Sequence, residues 1–178
     1  MKSQAILSNK SPQIGKRHLE VMDELEIMLD QGKSFSTMSD LAKKLKISLR
    51  TLYEIAPSKE ELIVTTVDRV LKKHGKIAMD AMNAHSSPIK KLESFLTVAN
   101  QAVGPRFERF TLSLSNLNSS KPMVDYHEQY ITNLIKNLLD QARIQNEIKD
   151  IDTHATALLL GGLGRYFQSK KLLKDLYQ

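Results

Sequence analysis

Ser36 to Leu62 reads STMSDLAKKLKISLRTLYEIAPSKEEL, and three helix starts fall within this stretch. Thr37 is an N-cap residue with Asp40 three positions on, Ser48 is a second, and Ser58, after Pro57, is a third with Glu61 in the matching position. Leu41, Ala42 and Leu45 repeat at helical spacing between the first two caps. Ile47 follows in a short turn, and Leu52 and Ile55 lie in the next helix. Two short helices joined by so short a turn must cross steeply and share a small core, which is a helix-turn-helix. A unit of that size buries too little apolar surface to fold alone, so flanking helices must support it. The outward face of the second short helix carries Leu49, Arg50, Thr51, Glu54 and Tyr53. Such a helix fits the major groove of B-DNA with its first turn at the base edges. On spacing alone two readings stay open, a DNA-binding head and a helical hairpin with a solvated polar face.

T-L-Y at 51–53, P-S-K-E-E-L at 57–62 and T-M-S-D-L-A at 37–42 together resemble the DNA-binding domain of tetracycline-repressor-type (TetR family) regulators. The resemblance covers roughly residues 13–62 at motif level, and beyond them only helix number and length agree. It implies a homodimeric one-component regulator on a palindromic operator in double-stranded DNA, with a small effector held by the rear helices. It also implies that Tyr53 and Lys59 touch the DNA backbone, with Thr37 and Ser39 at the start of the preceding helix. Three departures stand out. Lys46 occupies the turn where the family has glycine, Arg50 replaces a small residue before T-L-Y, and Glu54-Ile55-Ala56 replaces an aromatic sequence. These bear on operator sequence more than on fold.

The chain has 178 residues, enough for a sizeable core in one or two compact units. It has no cysteine, hence no disulfide or thiolate chemistry. Ala5-Ile6-Leu7 is too short an apolar run for a signal peptide, and Ala155 to Leu163 is about half of a membrane span. A cytoplasmic protein without a membrane partner is expected. Net charge is +6, and its placement says more than its size. Lys2, Lys10, Lys16 and Arg17 face no acid within residues 1–19. Lys43, Lys44, Lys46, Arg50 and Lys59 outnumber Asp40 and Glu54, while Glu20, Asp23, Glu24, Glu26 and Asp30 make the intervening helix acidic. Basic amino-terminal and helix-turn-helix segments around an acidic face suit phosphate contact by those two segments.

All elements read as helices, so the fold class is all-α. Residues 1–11 form a polar arm, and Ser11-Pro12 opens a first helix whose stripe is Ile14, Val21, Met22, Leu25, Met28 and Leu29. A long helix runs from Ser58 to about His85. Pro88 opens another, Gly104-Pro105 breaks it, and Phe107 to about Leu117 forms a shorter one. After a loop at Asn118–Pro122, helices are expected from about Met123 to Asn146, from Thr153 to about Gln168, and in the tail from Lys170 to Tyr177. The expected division is a helix-turn-helix DNA-binding domain at 1–62 and a helical effector-binding and dimerisation domain at 63–178.

Little here suggests catalysis. His127, Glu128 and His154 lack HExxH or i, i+4 pairing, and Gly161-Gly162-Leu163-Gly164 has no P-loop lysine, so neither an enzyme, a metal site nor a cofactor is expected. Those glycines suit close helix approach instead. For base reading the residues are Arg50 and Thr51, with Leu49 apolar and Glu54 either accepting from a cytosine amine or pointing away. Met82, Phe95, Phe107, Phe110, Tyr126 and Tyr130 are either core or the lining of an effector pocket. The helix from Thr153 is apolar on most sides, so Leu158, Leu159, Gly162 and Tyr166, with Ile131 and Leu138 from the preceding helix, are the expected dimer contacts, the alternative being the centre of the monomer core. The expectation is therefore a transcriptional repressor released by a small molecule. The alternative from another class is a helix-turn-helix protein acting as a non-specific DNA-binding or protein-interaction module.

Overall fold

A computed structural model describes residues 15–33 and 36–166, and only the backbone at Phe107 and over 162–166. The described chain is all-α: α1 (Lys16–Asp30), α2 (Met38–Leu45), α3 (Leu49–Ile55), α4 (Lys59–Met82), α5 (Pro88–Leu114), a 3-10 turn (Asn118–Ser120), α6 (Lys121–Ile144) and α7 (Thr153–Tyr166). The amino-terminal arm, the Ser11-Pro12 helix start, Ile14 and the tail helix from Lys170 lie outside the described residues.

The helix starts are fixed by side chains. The Asp40, Thr51 and Glu61 amides each donate to the hydroxyl of Thr37, Ser48 and Ser58, all at 3.1 Å. The Lys90 amide does the same with Ser87, and Pro88 sits in the first turn of α5. Each such cap contributes about 1 kcal/mol. Asp152 caps α7 through the amides of His154 and Ala155. At its far end α2 stops in a left-handed residue, Lys46, with φ 51° and ψ 46°. The Ile47 amide there reaches back to the Ala42 carbonyl at 3.0 Å. That bond closes the orphaned carbonyls of the last turn, at the cost of an L side chain in a region that favours glycine.

Three apolar clusters lie along the molecule. Val21, Leu25, Met38, Leu41, Leu45, Leu52, Ala56 and Leu62 form the front core around the helix-turn-helix. Leu29, Val67, Val70 and Phe110 form a middle cluster. Ala78, Met82, Leu92, Phe95, Ile135, Leu138, Leu139 and Ala157 form the rear core. Helix α4 contributes to all three, and its 24 residues span about 36 Å at 1.5 Å per residue. Gly161 of α7 faces α6: a Cβ there would meet the Thr132 hydroxyl at 3.3 Å. At least this glycine serves close packing inside one chain.

Gly104-Pro105 does not end a helix. Helix α5 runs through it, and the expected separate helix from Phe107 is its C-terminal part. Proline removes one hydrogen bond to the carbonyl four residues back and costs about 3 kcal/mol in a helix interior. Here Gln101 and Pro105 are both exposed, so water can satisfy the freed carbonyl. Burial pins both flanks, with Leu92 and Phe95 in the rear core and Phe110 in the middle cluster. The expected loop at Asn118–Pro122 is instead a 3-10 turn leading directly into α6, because Pro122 suits a first helical turn. The buried Ser120 hydroxyl donates to the Leu114 and Leu117 carbonyls, satisfying the end of α5.

Lys46→Gly should relieve the left-handed strain and raise unfolding stability by about 0.5–1 kcal/mol net of glycine's entropy. Urea unfolding measures it, and a destabilised variant would contradict the strain argument.

Candidate nucleic-acid interface and ligand cavity

Helix α3 displays its first turn because Ser48 caps it and Leu52 anchors it from below. Leu52 is fully buried, whereas Leu49 and Tyr53 are exposed. Arg50 is the most exposed of the group, its side chain 87% accessible. The Thr51 hydroxyl sits 2.8 Å from that of Ser48 and is thus held near the cap. Thr37 and Ser39 are exposed at the start of α2. Lys59 opens α4, with Nζ 3.5 Å from the Ser36 carbonyl, beside Glu60 and Glu61 of the same turn. Thr37, Ser39, Leu49, Arg50, Thr51, Tyr53 and Lys59 thus lie on α3 or at the starts of α2 and α4, the helices that share the front core with α1.

Glu54 behaves differently from a free base-reading acid. It accepts from Arg50 Nε at 2.9 Å and meets His18 Nε2 of α1 at 3.1 Å. The hydrogen bonds from Arg50 and then His18 hold its carboxyl below the usual carboxylate range. Glu54 thus ties α3 to α1 and orients Arg50. His18 gave no signal in the sequence, because the pair is 36 residues apart and no local period connects them.

Behind this head lies a charged cluster. The Glu26 side chain of α1 is only 8% exposed. It is met by Arg106 of α5 at 3.0 Å, Lys73 of α4 at 3.4 Å and Arg69 of α4 at 4.0 Å. Arg106 also pairs with Asp30 at 3.0 Å, Arg69 with Asp23 at 2.7 Å, and Arg109 donates to the Asp30 carbonyl. Arg106 Nη1 lies 2.9 Å from His74 Nε2.

A partly open cavity of about 1090 Å³ occupies the space between α4, α5, the 3-10 turn, α6 and α7. Its walls are mainly apolar, and Gly75 and Gly104 widen it from two sides. Of the expected pocket residues, Phe95, Phe110, Tyr126 and Tyr130 line it. Met82 is buried in the rear core and is not part of the wall, and the Phe107 side chain lies outside the described residues. Tyr130 reaches the Met79 sulfur at 3.8 Å, while Tyr126 stacks edge-on against His127. His127 Nε2 meets Asp68 Oδ1 at 2.8 Å. Burial pushes the Asp68 carboxyl up, but hydrogen bonds from Lys72 and His127 outweigh it and hold the group below its ordinary value. Sequence reading did not single out His74, Asn100 or Thr132, and read Gly104 only as a helix break; these four line the cavity because three helices converge on them.

The expected dimer residues divide. Leu158 and Leu159 are more than half exposed on α7. Leu138 is buried in the rear core, so it is filled from within the chain. Ile131 and Leu158 both border the cavity. Gly162 and Tyr166 have described backbone only. Among the described residues no group of three or more His, Asp or Glu side chains could hold a metal ion, and no helix is long and apolar enough to cross a membrane.

No protein-family profile matches the chain, and no curated protein matches its sequence. Solved structures do match its shape. A candidate transcriptional regulator from Pseudomonas aeruginosa PAO1 superposes with a TM-score of 0.69 at 12% identity, over 92% of this chain and 85% of that one. A candidate fatty acid metabolism regulator from Clostridium perfringens superposes with a TM-score of 0.66 at 19% identity, over 87% and 86%. The fold is one found among transcription regulators.

The depressed Asp68 pKa predicts a pH-dependent contribution. A lowered carboxyl stabilises the fold above its unfolded value and loses that contribution as pH falls through the folded one. Asp68→Asn should cost about 1 kcal/mol or less at pH 7, because the Asp68 side chain keeps a quarter of its surface in water and its partner Lys72 is mostly exposed, so solvent weakens the pair. The difference from wild type should vanish in acid unfolding below the carboxylate range. A pH-independent difference would assign the loss to packing.

Proposed function

We propose that the protein is a TetR-type transcriptional regulator that binds operator DNA through α2 and α3 and is released by a small apolar effector in the rear cavity. The observation that carries this reading is the capped α2–turn–α3 unit, which leaves Arg50 and Tyr53 exposed on α3, with Lys59 in the first turn of the helix that follows. In this reading residues 1–62 form the DNA-binding head and 63–178 the effector and dimer unit. The protein acts in the cytoplasm as a homodimer, as a repressor rather than an enzyme. A single recognition helix in one groove specifies little, and a two-fold pair sets half-sites about 34–36 Å apart or a multiple of that. Arg50 reads a base edge and Thr51 supports it from the cap, while Tyr53, Lys59 and Thr37 touch phosphates. The mainly apolar cavity, and a neighbour whose description refers to fatty acid metabolism, favour an effector with a long apolar part. The reading against it is a non-specific DNA-binding or protein-interaction module.

A mobility-shift assay with DNA flanking its own gene, against random DNA, separates the two. Specific binding supports the regulator, and equal binding to both supports the module. Lys59→Ala should weaken both kinds of DNA alike and lower the salt slope by roughly one unit per monomer, whereas Arg50→Ala should cost about 1–3 kcal/mol at one operator position. An unchanged slope removes Lys59 from the interface.

For the dimer, the exposed Leu159 is the informative position. Leu159→Glu should give a folded monomer by sedimentation with weak operator binding. A variant that remains dimeric places the contact elsewhere.

A further inference from the structure

His74 belongs both to the cavity wall and to the charged cluster that holds α1. Its two ring nitrogens have unequal surroundings. Nε2 lies 2.9 Å from Arg106 Nη1, and a guanidinium only donates, so Nε2 must be the accepting, unprotonated nitrogen. A neutral imidazole then carries its proton on Nδ1. Burial and, after it, the Arg106 charge push the His74 pKa down, which fits the neutral ring. Nδ1 is closed to a water-sized atom and has no hydrogen-bond partner among the described residues, so an acceptor in the cavity reaches it only with a shift of the ring. A buried donor left unmade is costly, and anything that supplies an acceptor recovers that cost.

Four charged side chains act on the ring: Glu26 and Asp30 of α1, Lys73 of α4 and Arg106 of α5. They balance in number, so the Nδ1 proton is what selects: any ligand that meets it with a donor, an ammonium included, is disfavoured. We infer that His74 is the polar recognition point of the cavity: its Nδ1–H binds a hydrogen-bond acceptor on an otherwise apolar ligand, and Nε2 passes that contact through Arg106 to Glu26 of α1. The inference rests on the reading of the cavity as an effector site and names the class of effector. Arg106 Nη1 bridges the two groups, at 2.9 Å from His74 and 3.0 Å from Glu26, so a shift of the ring alters the ion pair that positions α1.

Two substitutions divide the roles. His74→Gln keeps an acceptor near the Nε2 position and removes the Nδ1 donor. His74→Asn keeps a donor near Nδ1 and removes the acceptor for Arg106. The probes are 2-octanone and octanoate, which carry acceptors, octylammonium, which donates, and butylbenzene, which does neither. In wild type, at least one acceptor probe should bind roughly three- to tenfold tighter than butylbenzene, the range of one net hydrogen bond, with octylammonium weakest. Ketone against carboxylate separates a neutral from an anionic acceptor. The preference should disappear in His74→Gln and persist in His74→Asn. Histidine-selective 15N spectra should show His74 protonated at Nδ1, with that signal moved by the acceptor probe and not by butylbenzene. The acceptor probe should change DNA affinity in wild type and leave it unchanged in His74→Asn. A ring protonated at Nε2, a preference intact in His74→Gln, or no binding by any probe overturns the inference. If wild type binds no DNA at all, the regulator reading falls, and the probe ratios and nitrogen spectra still decide His74.

Discussion

Glu26 is a carboxylate removed from water, and the arrangement of α1 against α4 and α5 follows from what that requires. A buried charge is tolerated only where opposite charges and hydrogen bonds replace its hydration. Three helices must therefore keep their relative placement so that Arg106, Lys73 and Arg69 can reach it. Removing one partner from such a site costs several kcal/mol because the remaining charge is left uncompensated. Replacing the whole cluster by well-packed apolar residues could be neutral for stability. What the charges supply is a specific register between the head and the rear helices, which an apolar contact would define less sharply.

The continuity of α5 through Pro105 follows from the same requirement. A break at Gly104-Pro105 would uncouple Phe95 in the rear core from Arg106 and Phe110 toward the front. The helix accepts the loss of one backbone hydrogen bond on its exposed side and keeps two buried anchors on the other. Gly104, next to the proline, borders the cavity, so the segment that tolerates the irregularity also shapes that space. Helix α4 is the second connection, since its side chains belong in turn to the front, middle and rear clusters. Any change in the cavity therefore acts on helices that also bear on the front core.

At the front, exposure and organisation coexist. The Arg50–Glu54 pair is an i, i+4 surface contact and adds little to stability. Its effect is on direction, because it holds the arginine along α3 while His18 ties the acid to α1. A cation preset in this way loses less rotamer freedom on meeting a partner.

Local chemistry in the sequence determined the helices and their starts. Thr37, Ser48, Ser58 and Ser87 cap helices because a hydroxyl and a backbone amide three residues on need no other part of the chain. The all-α class and the helix-turn-helix followed from those caps and the apolar period. Tertiary structure decided whatever depended on elements far apart in sequence. Proline in isolation predicts a helix end, and only the burial of both flanks overrules it at Pro105. Met82, Phe95 and Leu138 carry similar apolar patterns, yet Phe95 borders a cavity while the other two fill the core, because convergence of α4, α5 and α6 sets where space remains. The pairing of Glu26 with Arg106, 80 residues apart, has no sequence signature, since charge attraction acts through space and the fold alone supplies the distance.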